Sequence, residues 1–146
     1  MMWFVLFIAI LLLTACLEKE TTTYEYTLKG ESEHWTGEYS VKGTEVWNEK
    51  NGRTGYEHES EDELILTFTG MKEEKKSIKE LEYSYETTVG AGSGTTTFES
   101  PNENDDIIIT HRGASIGAAK MKEDEVIKIT VKWNGQEETF QLQNGE

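Results

Sequence analysis

A chain of 146 residues holds one domain of ordinary size and leaves no room for two sizeable ones. Its 28 acidic and 14 basic side chains give a net charge of −14, which argues against nucleic acid as a partner, because that needs a basic stripe to replace phosphate counterions. The same charge repels an anionic bilayer surface, so any membrane attachment is expected from something other than surface electrostatics; a single cysteine excludes an internal disulfide, so the apolar core alone must hold the fold.

Residues 1–15, MMWFVLFIAILLLTA, carry no ionisable side chain. The run is short for a membrane-crossing helix, which takes about 20 residues, and a core helix would need polar positions that it lacks. A compact apolar segment followed by small residues fits a secretory leader. Leu13-Thr14-Ala15-Cys16 resembles the lipobox of bacterial lipoproteins. The resemblance implies a diacylglycerol on the Cys16 sulfur, cleavage before Cys16, and anchoring by acyl chains at roughly 0.8 kcal/mol per buried methylene. The alternative is an uncleaved hydrophobic anchor. Both place the remainder outside the cytoplasm, on the extracellular face of the cell membrane. Leu17–Thr23 is polar and without apolar period, so residues 16–23 are expected as a tether and 24–143 as the domain.

From Tyr24 the pattern has period two. Tyr24, Tyr26 and Leu28 share one side of YEYTLKG, and Trp35, Gly37, Tyr39 and Val41 share one side of HWTGEYSV, with a turn at Gly30-Glu31-Ser32-Glu33. Asn48–Asp62 is expected as a loop with Asn51-Gly52 as its turn. ELILTFTG follows as a strand, MKEEKKS as a connector with room for one helical turn, and LEYSYETTV as a strand. GAGSG is expected as a flexible hairpin tip leading into TTTFES, and Ile107–Thr110 as a short apolar strand. Asn134-Gly135 favours a type I′ turn with Trp133 opposite Gln136. That register puts Ile129 opposite Phe140, Ile127 opposite Leu142, Lys132 opposite Glu137 and Thr130 opposite Thr139. The expected fold class is therefore all-β: an antiparallel β-sandwich of immunoglobulin-like architecture, with about eight strands after the N-terminal leader. GESEHWTGEY and VKWNGQEETFQL make the chain similar to small lipoproteins of Gram-positive bacilli. The resemblance implies an export route and a fold type, but no activity and no site residue.

Chemistry-bearing patterns are sparse. Gly113-Ala114-Ser115-Ile116-Gly117 matches GxSxG after a strand, but no histidine follows His111 to complete a hydrolase order, and a glycine-flanked turn is the better account. His34, His58 and His111 are separated by more than twenty residues, unlike metal-ligand pairs. Asn102-Glu103-Asn104-Asp105-Asp106 begins like a calcium loop but lacks the later Gly and Glu, so a solvated acidic loop is expected. Glu59/Glu61 and Glu82/Glu86 read as outer faces kept soluble by charge. Gly90–Gly94 lacks the phosphate-cradling pattern. Trp35, Tyr39, Tyr83, Tyr85 and Trp133 alternate at strand spacing and are expected in the core, although a coplanar exposed set would make a carbohydrate platform.

These readings point to an extracytoplasmic, lipid-anchored, non-enzymatic binding or interaction module. Its partners would be the membrane, through the anchor, and an envelope protein or ligand. No catalytic residue, cofactor or metal is expected beyond the diacylglycerol on Cys16. The rival reading is an envelope enzyme or inhibitor acting on wall glycan or peptide through a carboxylate pair. A third is cation buffering by the acidic surface.

Overall fold

The computed structural model describes residues 18–99 and 106–144. Eight antiparallel strands carry almost all of the regular structure: β1 (Glu18–Glu31), β2 (Trp35–Lys50), β3 (Arg53–Phe68), β4 (Glu80–Glu86), β5 (Ala91–Thr97), β6 (Ile108–Ile116), β7 (Ile127–Trp133) and β8 (Gln136–Asn144). One helical turn, α1 (Lys72–Lys76), links β3 to β4, as the MKEEKKS segment predicts. The strand order is β5-β4-β7-β8-β1-β2-β3-β6.

The all-β class is as expected. Two separate immunoglobulin-like sheets are not what the ladders form. They run without a break through all eight strands, so the molecule is one curled sheet. The halves are joined where Leu28 and Lys29 of β1 pair with Asn144 and Gln143 of β8, a seam of two residue pairs. Curling turns the inner faces of both halves toward one core. Trp35 and Phe68 from one half meet Trp133 from the other at ring-centroid distances of 5.7 and 6.3 Å, all three near edge-to-face. Leu28, Leu66, Leu81, Ile127, Ile129 and Leu142 fill the space around them and are fully buried. Each apolar side chain removed from water contributes on the order of 1.5–3 kcal/mol.

The β7–β8 hairpin has the predicted register at every pair named above. Asn134 and Gly135 have φ of 47° and 75°, the left-handed values that a type I′ turn needs at both central positions. Asn51 and Gly52 repeat this geometry, with φ of 54° and 74°.

Three segments differ from expectation, and a fourth, Gly113–Gly117, does so at the end of β6. Asn48–Asp62 is not a loop but the meeting ends of β2 and β3, paired from Lys50↔Arg53 through Val41↔Asp62. Residues 18–23, expected within a tether, are strand, paired with β2 from Glu18↔Glu49 to Thr23↔Thr44. Both segments are charged or polar because this three-stranded ribbon projects past the core. β3 meets β6 only from Glu59 onward, so residues 53–57 have no strand partner on that side among the described residues. Cross-strand ladders, not an apolar face, hold the ribbon.

The third is GAGSG, which enters β5 at Ala91 instead of forming a hairpin tip. Its glycines are explained by the opposite strand. Gly92 pairs with Tyr85 and Gly94 with Tyr83, and in each pair the tyrosine ring lies across the glycine, where a Cβ would overlap it. Gly43 opposite Tyr24 is built the same way. The ring supplies the packing that glycine lacks, a compensation also used to stabilise glycine in designed sheets. Gly94→Val is expected to displace the Tyr83 ring and to cost about 1–2 kcal/mol in a urea-unfolding comparison with wild type.

Candidate binding cleft

The inner face of a strand need not stay apolar along its whole length. In β3, Leu64, Leu66 and Phe68 point into the core, and the same parity continues outward through Asp62 and Ser60. In β6 the parity of buried Ile109 continues through His111, Gly113 and Ser115. Where these polar ends leave the core, the curled sheet opens into a cleft of about 360 Å³. Tyr39 and Tyr85 form its floor, the β4–β5 turn forms one lip, and Ala118, Ala119 and Met121 form the other. Wider and more open depressions lie on the outer face near Lys42 and Arg112 and beside Tyr26 and Lys120.

Asp62 is the carboxylate lining this cleft, and among the described residues no Lys or Arg lines it. The Tyr39 hydroxyl donates to Asp62 Oδ2. Burial, followed by the hydrogen bond to Asp62 and its charge, pushes the Tyr39 phenol well above the ordinary tyrosine range, so it stays protonated as a donor. The same two influences, burial first and then the Asp62 charge, raise Tyr85. The Tyr39 and Tyr85 rings lie 6.0 Å apart. His111 stands edge-on to Tyr85 at 5.4 Å, and its Nδ1 is 2.8 Å from the Tyr83 hydroxyl. Gly113 is required here, because a Cβ would lie 2.5 Å from Asp62 Oδ1.

The cleft gathers residues that the sequence showed only singly. The glycine-flanked turn expected at Gly113–Gly117 is instead strand as far as Ile116, so Ser115, centre of the GxSxG match, lies within β6 and not on a strand-to-helix elbow. Its hydroxyl is 2.8 Å from the Ser60 hydroxyl, so its hydrogen-bond partner is another serine and not a base. Of the three histidines, His111 alone lines the cleft. His58 is buried beneath the ribbon, with Nδ1 2.7 Å from the Ala118 carbonyl oxygen and Nε2 2.6 Å from the Tyr24 hydroxyl. The carbonyl can only accept, so Nδ1 carries the proton and the Tyr24 hydroxyl donates to Nε2.

His34 sits at the far end of the core. Its Nδ1 is 2.5 Å from Glu138 Oε2 and its Nε2 is 3.0 Å from Glu74 Oε2. Glu33, His34 and Glu138 bring donor atoms within 4.8 Å of one another, but each ring nitrogen of His34 already faces a carboxylate. The group is an ion-pair clasp across the β1–β2 turn, α1 and β8. Sequence reading missed it because its members lie in three distant segments.

The expected acidic faces are exposed: Glu59, Glu61, Glu82 and Glu86 all point to solvent. Trp35, Tyr39, Tyr83, Tyr85 and Trp133 are buried as expected, which removes them from any exposed sugar-stacking platform. Glu125 is buried by structure alone, and it accepts from the Thr88 amide and hydroxyl at 2.6 Å each. Cys16, Asn102–Asp105 and the leader lie outside the described residues. Among the described residues, no helix is long and apolar enough to cross a membrane. Comparison with family models, curated proteins and solved structures returned no match.

Proposed function

We propose that this chain is an extracytoplasmic, membrane-anchored binding module, held by a diacylglycerol on Cys16, that takes a small organic cation in the cleft between β3, β4 and β6. One observation carries the ligand class: the cleft joins a carboxylate, Asp62, to the rings of Tyr39 and Tyr85, and among the described residues no Lys or Arg lines it. A positive guest gains Coulomb attraction from Asp62 and the ring quadrupoles together, the latter on the order of 0.5–2 kcal/mol per face. An anionic guest would meet only repulsion in a chain of charge −14. The anchor rests on Leu13-Thr14-Ala15-Cys16 at the end of an apolar leader and on the absence of any second cysteine.

The hydrogen bonds support the reading of binding without turnover. The serine in the cleft is paired with a serine, and the histidine is paired with a phenol. The serine pair therefore sets no serine nucleophile against a general base. Calorimetric titration with choline and ethanolamine tests the ligand class. Asp62→Asn is expected to weaken binding about ten-fold or more, as loss of one charge at close range implies, and to leave the fold intact. Equal affinity in the variant would defeat the reading.

A further inference from the structure

The ribbon beyond the core has two unlike sides. On its inner side Trp47 and Tyr56 are direct cross-strand partners with ring centroids 4.4 Å apart, and they are 44% and 45% exposed. On its outer side Lys50 pairs with Arg53 at the tip, and Lys19 of β1 pairs with Asn48 beside them. These three cations share one face by strand parity, all are exposed, and among the described residues none is in an ion pair. By the same parity Glu20 and Glu49 lie on the aromatic side, so in a chain with twice as many acids as bases the local reversal of surface character belongs to the outer face of the tip.

Chain geometry says where this tip must be. β1 begins at Glu18, two residues after Cys16, and two residues span at most about 7 Å. Glu18 pairs with Glu49, so the Lys50–Arg53 turn is at the same end of the ribbon as the chain's entry. An acyl chain on Cys16 therefore brings the tip within reach of the headgroups, and an uncleaved apolar run would do the same. Trp and Tyr favour the membrane–water interface, and Lys and Arg favour anionic headgroups. We infer that the ribbon tip is a second membrane contact, in which Lys19, Lys50 and Arg53 engage anionic phospholipid headgroups while Trp47 and Tyr56 seat in the interface. This rests on the anchoring reading and extends it: the anchor confines the domain, and the tip orients it. The cleft, at the other end of the same ribbon, is held away from the bilayer.

The full chain, reconstituted in phosphatidylcholine vesicles with and without phosphatidylglycerol, tests this. Flotation reads anchoring. Quenching by brominated lipid, compared between wild type and Trp47→Phe, reads the tip, because Trp35 and Trp133 are buried in the core. The expected result is a Trp47-dependent emission that shifts to the blue and is quenched by brominated lipid. The effect is strongest with phosphatidylglycerol and is lost in the Lys19→Glu/Lys50→Glu/Arg53→Glu variant, which still floats. Flotation with no Trp47-dependent quenching would overturn the inference and leave the anchor standing. A chain that does not float would overturn both. A blue shift that appears without lipid and grows with protein concentration would assign the tip to a second copy, and would also overturn it.

Discussion

Gly30→Ala is expected to lower the free energy of unfolding by about 3 kcal/mol, near the top of the range for forcing atoms into a packed site. A Cβ at position 30 would overlap the carbonyl oxygen of Gln141. That atom is backbone, so no rotamer change relieves the clash, and β1 must move away from β8. The movement occurs beside the seam at Leu28↔Asn144 and Lys29↔Gln143, which has only two residue pairs to lose. It also uncovers Leu28 and Leu142, both fully buried. Gly55→Ala is the control. The nearest atom to a Cβ there is 3.8 Å away, and the expected change is within about 0.5 kcal/mol. Urea denaturation of both variants by tryptophan fluorescence measures the difference, and equal midpoints would show that the seam does not hold the halves together.

Glu138→Ala should be comparably costly, about 3 kcal/mol, with a pH signature that a packing defect lacks. Glu138 Oε1 accepts from the Ser32 hydroxyl at 2.6 Å and the His34 amide at 2.9 Å, and Oε2 faces His34 Nδ1. Burial alone would raise the Glu138 pKa, but the hydrogen bonds from Ser32 and from the His34 amide and ring outweigh it and hold the carboxyl below its usual range. His34 moves the other way. The hydrogen bond to Glu138 raises its pKa, with Glu74 and Glu33 adding to the effect, against a smaller lowering by burial. A raised histidine stabilises fully below its unfolded value of about 6.5, and that contribution drains away as pH rises through the folded value. A lowered carboxylate stabilises fully above its unfolded value of about 4.5, and that contribution is lost as pH falls through the folded value. The clasp is therefore strongest between about pH 4.5 and 6.5. Wild type should lose stability on the alkaline side of this window, and Glu138→Ala should flatten that limb. Urea midpoints measured across the range test it, and parallel curves would remove the clasp from the account.

What could be read from the sequence depended on whether the signal lay within one segment. The β7–β8 hairpin is specified by Asn134-Gly135 and by alternation on both flanking strands, and its register is as expected at every pair. The long ends of β2 and β3 are not legible by the same rule, because the ribbon has no core to face and so no apolar period. The glycines of β5 look like a flexible tip until Tyr83 and Tyr85 are placed opposite them, and that placement is information held on another strand. The cleft follows the same logic. Asp62 has the inward parity of Leu64 and Leu66, and a charged residue continuing a buried face was the available sign of a polar cavity. Its companions Tyr85 and His111 come from β4 and β6, and no local pattern links them to Asp62. The seam between sheet halves joins residue 28 to residue 144, beyond the reach of any periodicity argument.

That seam also sets an order of events during folding. The β2–β3 and β7–β8 hairpins close over two-residue type I′ turns and can form within microseconds, the usual scale for hairpins. Joining β1 to β8 requires bringing together the two ends of the described chain, with the loop-closure entropy still to be met before any ladder bond rewards it. Each half also needs a long-range pairing, β3 with β6 and β4 with β7, to complete it. The β1–β8 seam, which has the greatest sequence separation of the three, is expected to close last and to turn the open ladders into one curled sheet.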